Sequence, residues 1–224
     1  MSQRSQALLD PRKSPVQARS TASVDAILEA TLQVLLDVGK ERLTTTRVAS
    51  RAGVSVGTLY QYFPNKSALL QAALKRHLEG VADAVEQVCQ EQHGNSVEGM
   101  AAALVDVFLR AKMKDGKTSV ALYAVSADVD GARIAREVGQ RTNRAVTGML
   151  ASAREPLTKD PQLVAEMLQA AMAGISRRML ESNDPGKHFA TFRQELTLFV
   201  SSYLNACSRT CETRDLDANG RNPI

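Results

Sequence analysis

The apolar residues of this 224-residue chain recur at three- and four-residue spacing from about residue 23 to residue 208. That period places them on one face of α-helices, and no segment shows the alternation of apolar and polar positions that is typical of strands. The pattern therefore predicts an all-α protein. Its first helix covers residues 24–39, where Gly39 is a plausible stop.

Two short helices and a long one are predicted next. The hydroxyl of Thr44 can cap a short helix that closes at Gly53. A second short helix covers residues 56–62 and ends before Pro64, which cannot continue a helix. Asn65 can then cap a long helix that runs to about residue 90. Two short helices joined by a glycine-containing turn form the helix-turn-helix, whose second helix enters the DNA major groove.

The rest of the chain keeps the helical period. Its apolar stripes predict five more helices, at about 100–111, 120–125, 134–150, 161–182 and 186–208. The pair Asp160-Pro161 supports one of these starts, because a capping residue followed by proline favours the first turn of a helix. The predicted architecture is an N-terminal three-helix head with a helix-turn-helix, followed by a larger helical domain.

Charge is distributed unevenly along the chain. The formal net charge is +4 and the pI is about 9.1. Residues 1–80 carry 11 Lys and Arg against 6 Asp and Glu, whereas residues 81–224 carry 17 against 18. The whole positive excess thus lies in the first third, which is compatible with a polyanionic partner without requiring one.

Four segments are expected from these patterns. They are a flexible basic arm (1–22), a helix-turn-helix domain (23–68), a larger helical domain (69–209) and a polar tail (210–224). The arm is either a disordered leader or a segment that lies along DNA phosphates. No apolar run has the length of a signal peptide or a membrane span, so we expect a cytoplasmic protein without membrane contact.

The second short helix carries side chains suited to DNA. Its outward positions are Ser55, Val56, Gly57, Thr58, Tyr60, Gln61 and Tyr62. Glycine lets the backbone approach closely, hydroxyls can bond phosphate oxygens, and Gln61 or Tyr62 can reach base edges. The N-termini of the neighbouring helices add Thr44, Thr45, Thr46 and Lys66. Free amides there favour a phosphate. A helix-turn-helix pattern on its own also occurs in proteins that do not bind DNA.

The linked motifs Thr-Thr, Ala-Gly-Val and Gly-Thr-Leu-Tyr-x-Tyr-Phe-x-x-Lys within residues 43–70 strongly resemble the DNA-binding signature of the tetracycline-repressor (TetR) family of bacterial regulators. The resemblance covers about residues 12–75, and residues 91–224 are similar to that family only in being helical and of suitable length. It implies a homodimer of Ω-like all-α subunits, each with a small DNA-binding head and a larger effector-binding domain.

Contacts with a double-stranded DNA operator are also implied by the resemblance, residue by residue. The implied phosphate contacts are Thr45, Tyr60, Tyr62 and Lys66. The implied positions at or near base edges are Thr46, Val56, Gly57 and Thr58. Val56 and Gly57 can touch a thymine methyl group but cannot donate a bidentate hydrogen bond.

A dimer interface is predicted on the last two helices, whose apolar stripes could form a four-helix bundle with a symmetry mate. The candidate interface residues are Leu163, Met167, Ala171, Gly174, Phe192, Phe199 and Tyr203. The alternative is that both stripes only cover the core of their own subunit.

A pocket for an apolar or amphipathic small-molecule effector would, by family analogy, lie among helices within residues 78–150 and part of 163–179. Its candidate lining residues are Phe108, Tyr123, Met149 and Met172. Methionine is adaptable and tyrosine is amphipathic, which suits such a pocket. Ordinary core packing would explain each of them equally well.

No catalytic, metal or cofactor motif is found in the sequence, so we expect neither an enzyme nor a metal or cofactor site. Cys207 and Cys211 could share a helix face as structural thiols or as a redox pair. The function that these observations favour is a ligand-responsive transcriptional regulator, a repressor that a small molecule releases from a palindromic operator. The alternatives are a ligand-independent architectural DNA-binding protein and a helical enzyme without a recognisable motif.

Overall fold

A computed structural model describes residues 15–180 and 189–208, which contain helices and no strand. Within those ranges the α-helices are α1 (Pro15–Arg42), α2 (Thr45–Ala52), α3 (Val56–Tyr62), α4 (Lys66–Glu91), α5 (Val97–Met113), α6 (Gly116–Val125), α7 (Gly131–Ala151), α8 (Pro161–Leu180) and α9 (Phe189–Ser208). A 3-10 turn, Ser126–Val129, connects α6 to α7. The predicted all-α class is confirmed. None of the described helices is both long enough and apolar enough to span a bilayer.

Helix α1 begins earlier than the apolar pattern predicts. Residues 15–22, which that pattern assigns to a flexible arm, are helical. The apolar pattern misses residues 15–22 because they contain no large apolar side chains at helical spacing. A helix can extend beyond the apolar face that it buries. Gly39 interrupts the helix with φ 74° and ψ 169°, so the predicted stop is confirmed as a kink before Arg42. The remaining arm residues 1–14, the predicted break at 183–186 and the tail 210–224 lie outside the described residues.

Side-chain caps begin the long helices where the sequence predicts them. The Oδ1 atom of Asn65 accepts a hydrogen bond from the backbone N–H of Ala68 at 2.8 Å, at the start of α4. The Oδ1 atom of Asp160 accepts one from the N–H of Gln162 at 3.0 Å, at the start of α8. Both bonds satisfy amides that have no partner within the helix.

The chain divides into two compact units. The first runs to Glu79 and includes Asp115–Glu137, and the second combines Gly80–Lys114 with the chain from Val138 onward. They do not coincide with the predicted ranges 23–68 and 69–209, because α6 packs against α1. The functions assigned to those two ranges remain predictions.

The core of the first unit lies beneath the helix-turn-helix. Ile27, Leu43, Leu59 and Leu69 are each at most 1% exposed. The turn after α6 is held against two other segments of this unit. The Nζ atom of Lys40 lies 2.8 Å from the Oδ2 atom of Asp128, and this hydrogen bond raises the pKa of Lys40. The side-chain amide of Gln71 donates to the carbonyl of Val129 at 3.2 Å.

Helices α5, α8 and α9 pack together in the second unit. Met100, Leu109, Leu168 and Leu204 are buried in its core. Helix α7 is joined to α8 by Gln169, whose Nε2 atom donates at 2.8 Å both to the carbonyl of Gly139 and to the hydroxyl of Thr142. These bonds fix the register of α7 on the core.

The turn between α6 and α7 depends on the absence of a side chain at Gly131. A Cβ atom there would lie 2.7 Å from both the Cβ atom and the carbonyl oxygen of Ser126. We expect Gly131→Ala to lower the free energy of unfolding by about 1–3 kcal/mol, because the backbone must move to relieve the overlap. Urea denaturation followed by far-UV circular dichroism measures this change.

Gly148→Ala, on the same helix α7, is the matched control. A Cβ atom at Gly148 would meet nothing within 4 Å. The control should raise the free energy of unfolding by about 0.4–1 kcal/mol, because alanine restricts the unfolded chain. Equal effects of the two substitutions would contradict the close approach at Gly131.

Candidate nucleic-acid interface

Helix α2 is defined at both ends by local hydrogen bonds. Thr44 is extended, with φ −128° and ψ 152°, and its hydroxyl oxygen accepts the N–H of Arg47 at 3.2 Å. At the other end Gly53 adopts the left-handed conformation, with φ 69°, and its N–H points to the carbonyls of Ala49 and Ser50. Glycine reaches this conformation without a steric penalty, so the chain can turn sharply into α3.

Helix α3 is fixed by buried residues on its inner face and by a cap at its N-terminus. Leu59 is fully buried, and Phe63, which follows the helix, is 8% exposed. The Oγ atom of Ser55 accepts the N–H of Thr58 at 2.9 Å and lies 2.8 Å from the hydroxyl of Thr58. Leu59 and Phe63 therefore pack inward, whereas Val54, in the turn before α3, is half-buried.

The outer face of α3 presents most of the residues that were predicted to face outward. Tyr60 is 49% exposed and Val56 is 36% exposed. Ser55, Gly57 and Gln61 are exposed, whereas Thr58 and Tyr62 are half-buried. The Thr58 hydroxyl is turned toward Ser55, which accounts for its partial burial.

Hydroxyl groups from α2 and α3 meet at one point. The Oγ1 atom of Thr45 lies 3.0 Å from the phenolic oxygen of Tyr60, in hydrogen-bonding contact. One hydroxyl donates to the other, so the second retains its own O–H to donate outward. Thr46, in the first turn of α2, is exposed. The two helices therefore present a shared donor surface.

Lys66 begins α4 with its side chain already engaged. Its Nζ atom donates to the carbonyl oxygen of Lys40 at 2.5 Å. An ammonium group has three N–H donors, so two remain for an anion. Lys66 is half-buried.

Two arginines beside this surface do not figure among the predicted contacts. Arg51 is paired with Asp37 at 2.5 Å, so its charge is compensated within the head. Arg47 is exposed and forms no ion pair within the part of the chain that the structure describes. A groove of about 720 Å³ is lined by Val34, Asp37, Val38, Thr46, Arg47, Ser50 and Arg51. The sequence signal for a role of Arg47 in the interface was its position directly after Thr44, Thr45 and Thr46.

The predicted interface residues of α8 form an exposed row. Leu163 and Met167 are 51% and 53% exposed, and Gly174 is exposed on the same face. On α9, Phe199 is 50% exposed. Half-buried members of the predicted set are Ala171, Phe192 and Tyr203. The buried residues of α8, such as Leu168, lie on its opposite face.

Three of the four predicted effector-pocket residues share one core. Met149 and Met172 are buried in the second unit, and Phe108 packs against the same cluster. Tyr123 lies on α6 in the first unit. The Nζ atom of Lys112 lies 5.9 Å from the centroid of the Phe108 ring, and burial lowers the pKa of Lys112.

Two family models match the chain. The model described as "Bacterial regulatory proteins, tetR family" matches residues 27–73, and that described as "Tetracyclin repressor-like, C-terminal domain" matches residues 96–204. The chain belongs to the TetR family of transcriptional regulators. The family resemblance of the helix-turn-helix motifs is thereby confirmed. The second match extends the similarity to this family to residues 96–204.

Individual proteins that are similar to this TetR-family chain are also described as transcriptional regulators or repressors. It is 33% identical over 102 residues to the HTH-type transcriptional regulator BetI 1 of Chromohalobacter salexigens, a match that covers 45% of the chain and half of that regulator. It is 28% identical over 182 residues to BetI of Yersinia pestis, covering 80% of the chain and 88% of that protein. The fold is similar to that of SmeT, the repressor of the Stenotrophomonas maltophilia multidrug efflux pump SmeDEF, with a TM-score of 0.63, 20% identity, and coverage of 92% and 98%.

The cap at Ser55 should contribute measurably to stability. Ser55→Ala removes the acceptor for the N–H of Thr58, and we expect it to lower the free energy of unfolding by about 1 kcal/mol. Ser55→Asp keeps a capping oxygen and should leave stability nearly unchanged. Urea denaturation of both variants tests the assignment, and equal losses in the two would contradict it.

Proposed function

We propose that this TetR-family regulator is a repressor that binds a palindromic operator as a homodimer and is released by a small molecule. The observation that carries the proposal is the outer surface of α2 and α3, where exposed hydroxyls surround a helix fixed from its inner side. Donors of this kind suit phosphate oxygens and base edges, and a rigid support gives them a defined register.

The phosphate contacts in this proposal come from both sides of α3. Thr45 and Tyr60 form one donor pair, with Thr44 and Tyr62 nearby in sequence. Lys66 supplies an ammonium at the start of α4, where free amides of the helix also favour an anion. We add Arg47 to this set, because it is exposed and its charge has no compensating carboxylate among the described residues.

Base recognition is assigned to α3 and to Thr46 of α2. A Cβ atom at Gly57 would have only one neighbour within 4 Å, the Oγ atom of Ser55 at 3.7 Å. The surface at Gly57 is therefore open, and a DNA backbone or base edge could approach it closely. Val56 offers methyl groups to a thymine methyl, and Thr58 and Gln61 offer polar atoms. None of these five residues is an arginine, so bidentate recognition of guanine would have to come from elsewhere, for example from Arg47.

The homodimer is assigned to α8 and α9. Leu163, Met167 and Gly174 form an apolar row with no cover from their own unit, and Phe199 adds a large exposed ring on α9. A two-fold dimer matches a palindromic operator, whose half-sites lie about 34–36 Å apart, or a multiple of that distance, on one side of DNA.

The effector is assigned to the second unit. A small molecule that binds better to one dimer conformation shifts the protein toward it, and such coupling is about 1–3 kcal/mol and reciprocal between ligand and DNA. Helix α4 has residues in both units, since Lys66 begins it and Val88 lies in the core of the second unit. It is therefore the element through which we expect the two sites to communicate.

Lys66 provides a direct test of the DNA-binding role. Lys66→Ala should lower affinity about tenfold for a duplex selected from a random pool and for unrelated DNA alike, because a phosphate contact does not depend on sequence. The slope of log affinity against log salt concentration should fall by about 0.9. Fluorescence anisotropy at several salt concentrations measures both quantities.

Lys75→Ala is the control, since Lys75 lies on the same helix and pairs with Glu79 at 3.8 Å. It should leave the salt slope unchanged. The loss of the bond from Lys66 to the Lys40 carbonyl could by itself weaken binding, but it would not change the number of counterions released. An unchanged slope in Lys66→Ala would therefore exclude the phosphate contact.

Gly174 tests the dimer. A Cβ atom there meets nothing within 4 Å in its own subunit, so Gly174→Arg should fold but obstruct a partner. We expect a monomer by analytical ultracentrifugation, and affinity for a two-half-site operator about 100-fold lower, because binding is no longer bivalent. Gly80→Arg, at an exposed helical glycine with equally open space, should remain dimeric. A dimeric Gly174→Arg would place the interface elsewhere.

A further inference from the structure

A groove in the second unit lies between the C-terminal half of α4 and the middle of α7. Its volume is about 440 Å³, and its lining includes Cys89 from α4 and Ala145, Gly148 and Met149 from α7. This volume falls within the range of about 300–1,000 Å³ that small-molecule sites occupy. The groove is separate from the helix-turn-helix surface, whose residues belong to the first unit.

The floor of the groove is apolar and uncharged. Met149 is 1% exposed and Cys89 is 4% exposed, and Ala145 packs against the same core. Burial, and to a smaller extent the nearby charge of Glu86, raises the pKa of Cys89 to about 12. The thiol is therefore neutral at physiological pH and behaves as a small apolar group. This floor suits the hydrocarbon part of a ligand.

Two carboxylates beside the groove share one arginine. Arg141 binds both oxygens of Glu86, with its Nη2 atom 2.6 Å from Oε2, and the same nitrogen lies 2.5 Å from Asp83. The bidentate contact engages both oxygens of Glu86, and the group of Arg141, Glu86 and Asp83 together retains a net charge of −1. A cation that binds an anionic ligand in the groove must therefore come from another residue at the rim.

Arg144, one helical turn from Gly148, is the charged group at the rim without a partner. It is exposed, lines the groove, and makes no ion pair or side-chain hydrogen bond with any residue that the structure describes. A guanidinium can bind a carboxylate through two parallel N–H donors. The combination of an apolar floor with one free cation at the rim is complementary to an amphipathic anion.

We propose that this groove binds an amphipathic carboxylate, whose hydrocarbon part lies on Cys89, Ala145 and Met149 and whose carboxylate accepts hydrogen bonds from Arg144. The identification of this molecule as the effector rests on the function proposed above. Gly148 leaves the groove open, since a Cβ atom at that position would meet nothing within 4 Å. A large side chain there would occupy the space of the ligand.

Calorimetric titration of the full-length dimer, without DNA, tests the site. The carboxylate probes are octanoate, which is flexible, and 2-naphthoate, which is planar. 1-Octanol and octylammonium are the neutral and cationic probes with a linear alkyl chain like that of octanoate. We expect the carboxylates to bind more tightly than octanol, and octylammonium to bind most weakly. Arg144→Gln should lower carboxylate affinity about tenfold and leave octanol affinity unchanged, because only the charged hydrogen bonds are lost.

Gly148→Leu should abolish binding of all probes by filling the groove. Gly80→Leu is the matched control, since Gly80 is another exposed helical glycine with nothing within 4 Å of its Cβ position, and it should bind like the unmodified protein. The surface variant Arg144→Gln keeps the test decisive if Gly148→Leu fails to fold. Absence of carboxylate binding, a preference for octylammonium, or an unchanged affinity in Arg144→Gln would each overturn the site.

Operator release is measured separately by anisotropy with the selected duplex. Release by the carboxylates from the unmodified protein, reduced in Arg144→Gln, supports both the groove and its role as effector site. Carboxylate binding without any change in operator affinity supports the groove and contradicts that role. If the unmodified protein binds neither carboxylate but is released from the operator by another small molecule, the groove is overturned and the proposed regulator function stands.

Discussion

The constraint on which the DNA-binding surface depends is the shortness of α3. A helix of seven residues, Val56–Tyr62, is not stable in isolation, because helix nucleation is unfavourable and few hydrogen bonds repay it. Its structure is maintained by burial of Leu59, by the Ser55 cap and by the left-handed turn at Gly53. Each exposed side chain of α3 is thus positioned by a buried leucine, a capping hydroxyl and a turn, and not by the seven-residue helix alone.

This dependence explains why the head could be predicted from sequence in detail. The predicted signals at Thr44, Gly53 and Asn65 act within three or four residues of their own positions, through caps and a turn whose chemistry is local. Caps and turns of this kind can be recognised in a single sequence. The pairing of Thr45 with Tyr60 was not, because it depends on the angle at which α2 and α3 pack.

The features that escaped prediction are non-local. Helix α6 packs against α1, and the ion pair between Lys40 and Asp128 joins residues that are 88 positions apart. Neither contact has a signature in spacing or composition. The candidate groove likewise depends on which faces of α4 and α7 approach each other, so Arg144 could not be distinguished from other surface arginines before the structure was known. Periodicity identified the helices but not their neighbours.

The bond from Lys66 to the carbonyl of Lys40 has a consequence for the thermodynamics of DNA binding. A free lysine side chain loses up to about 2 kcal/mol of conformational entropy when it is immobilised. In this protein much of that loss is incurred on folding, since the ammonium is already anchored to the end of α1. The proposed contact with a phosphate would then require little additional ordering, so the cation would contribute more of its electrostatic attraction to the affinity for DNA.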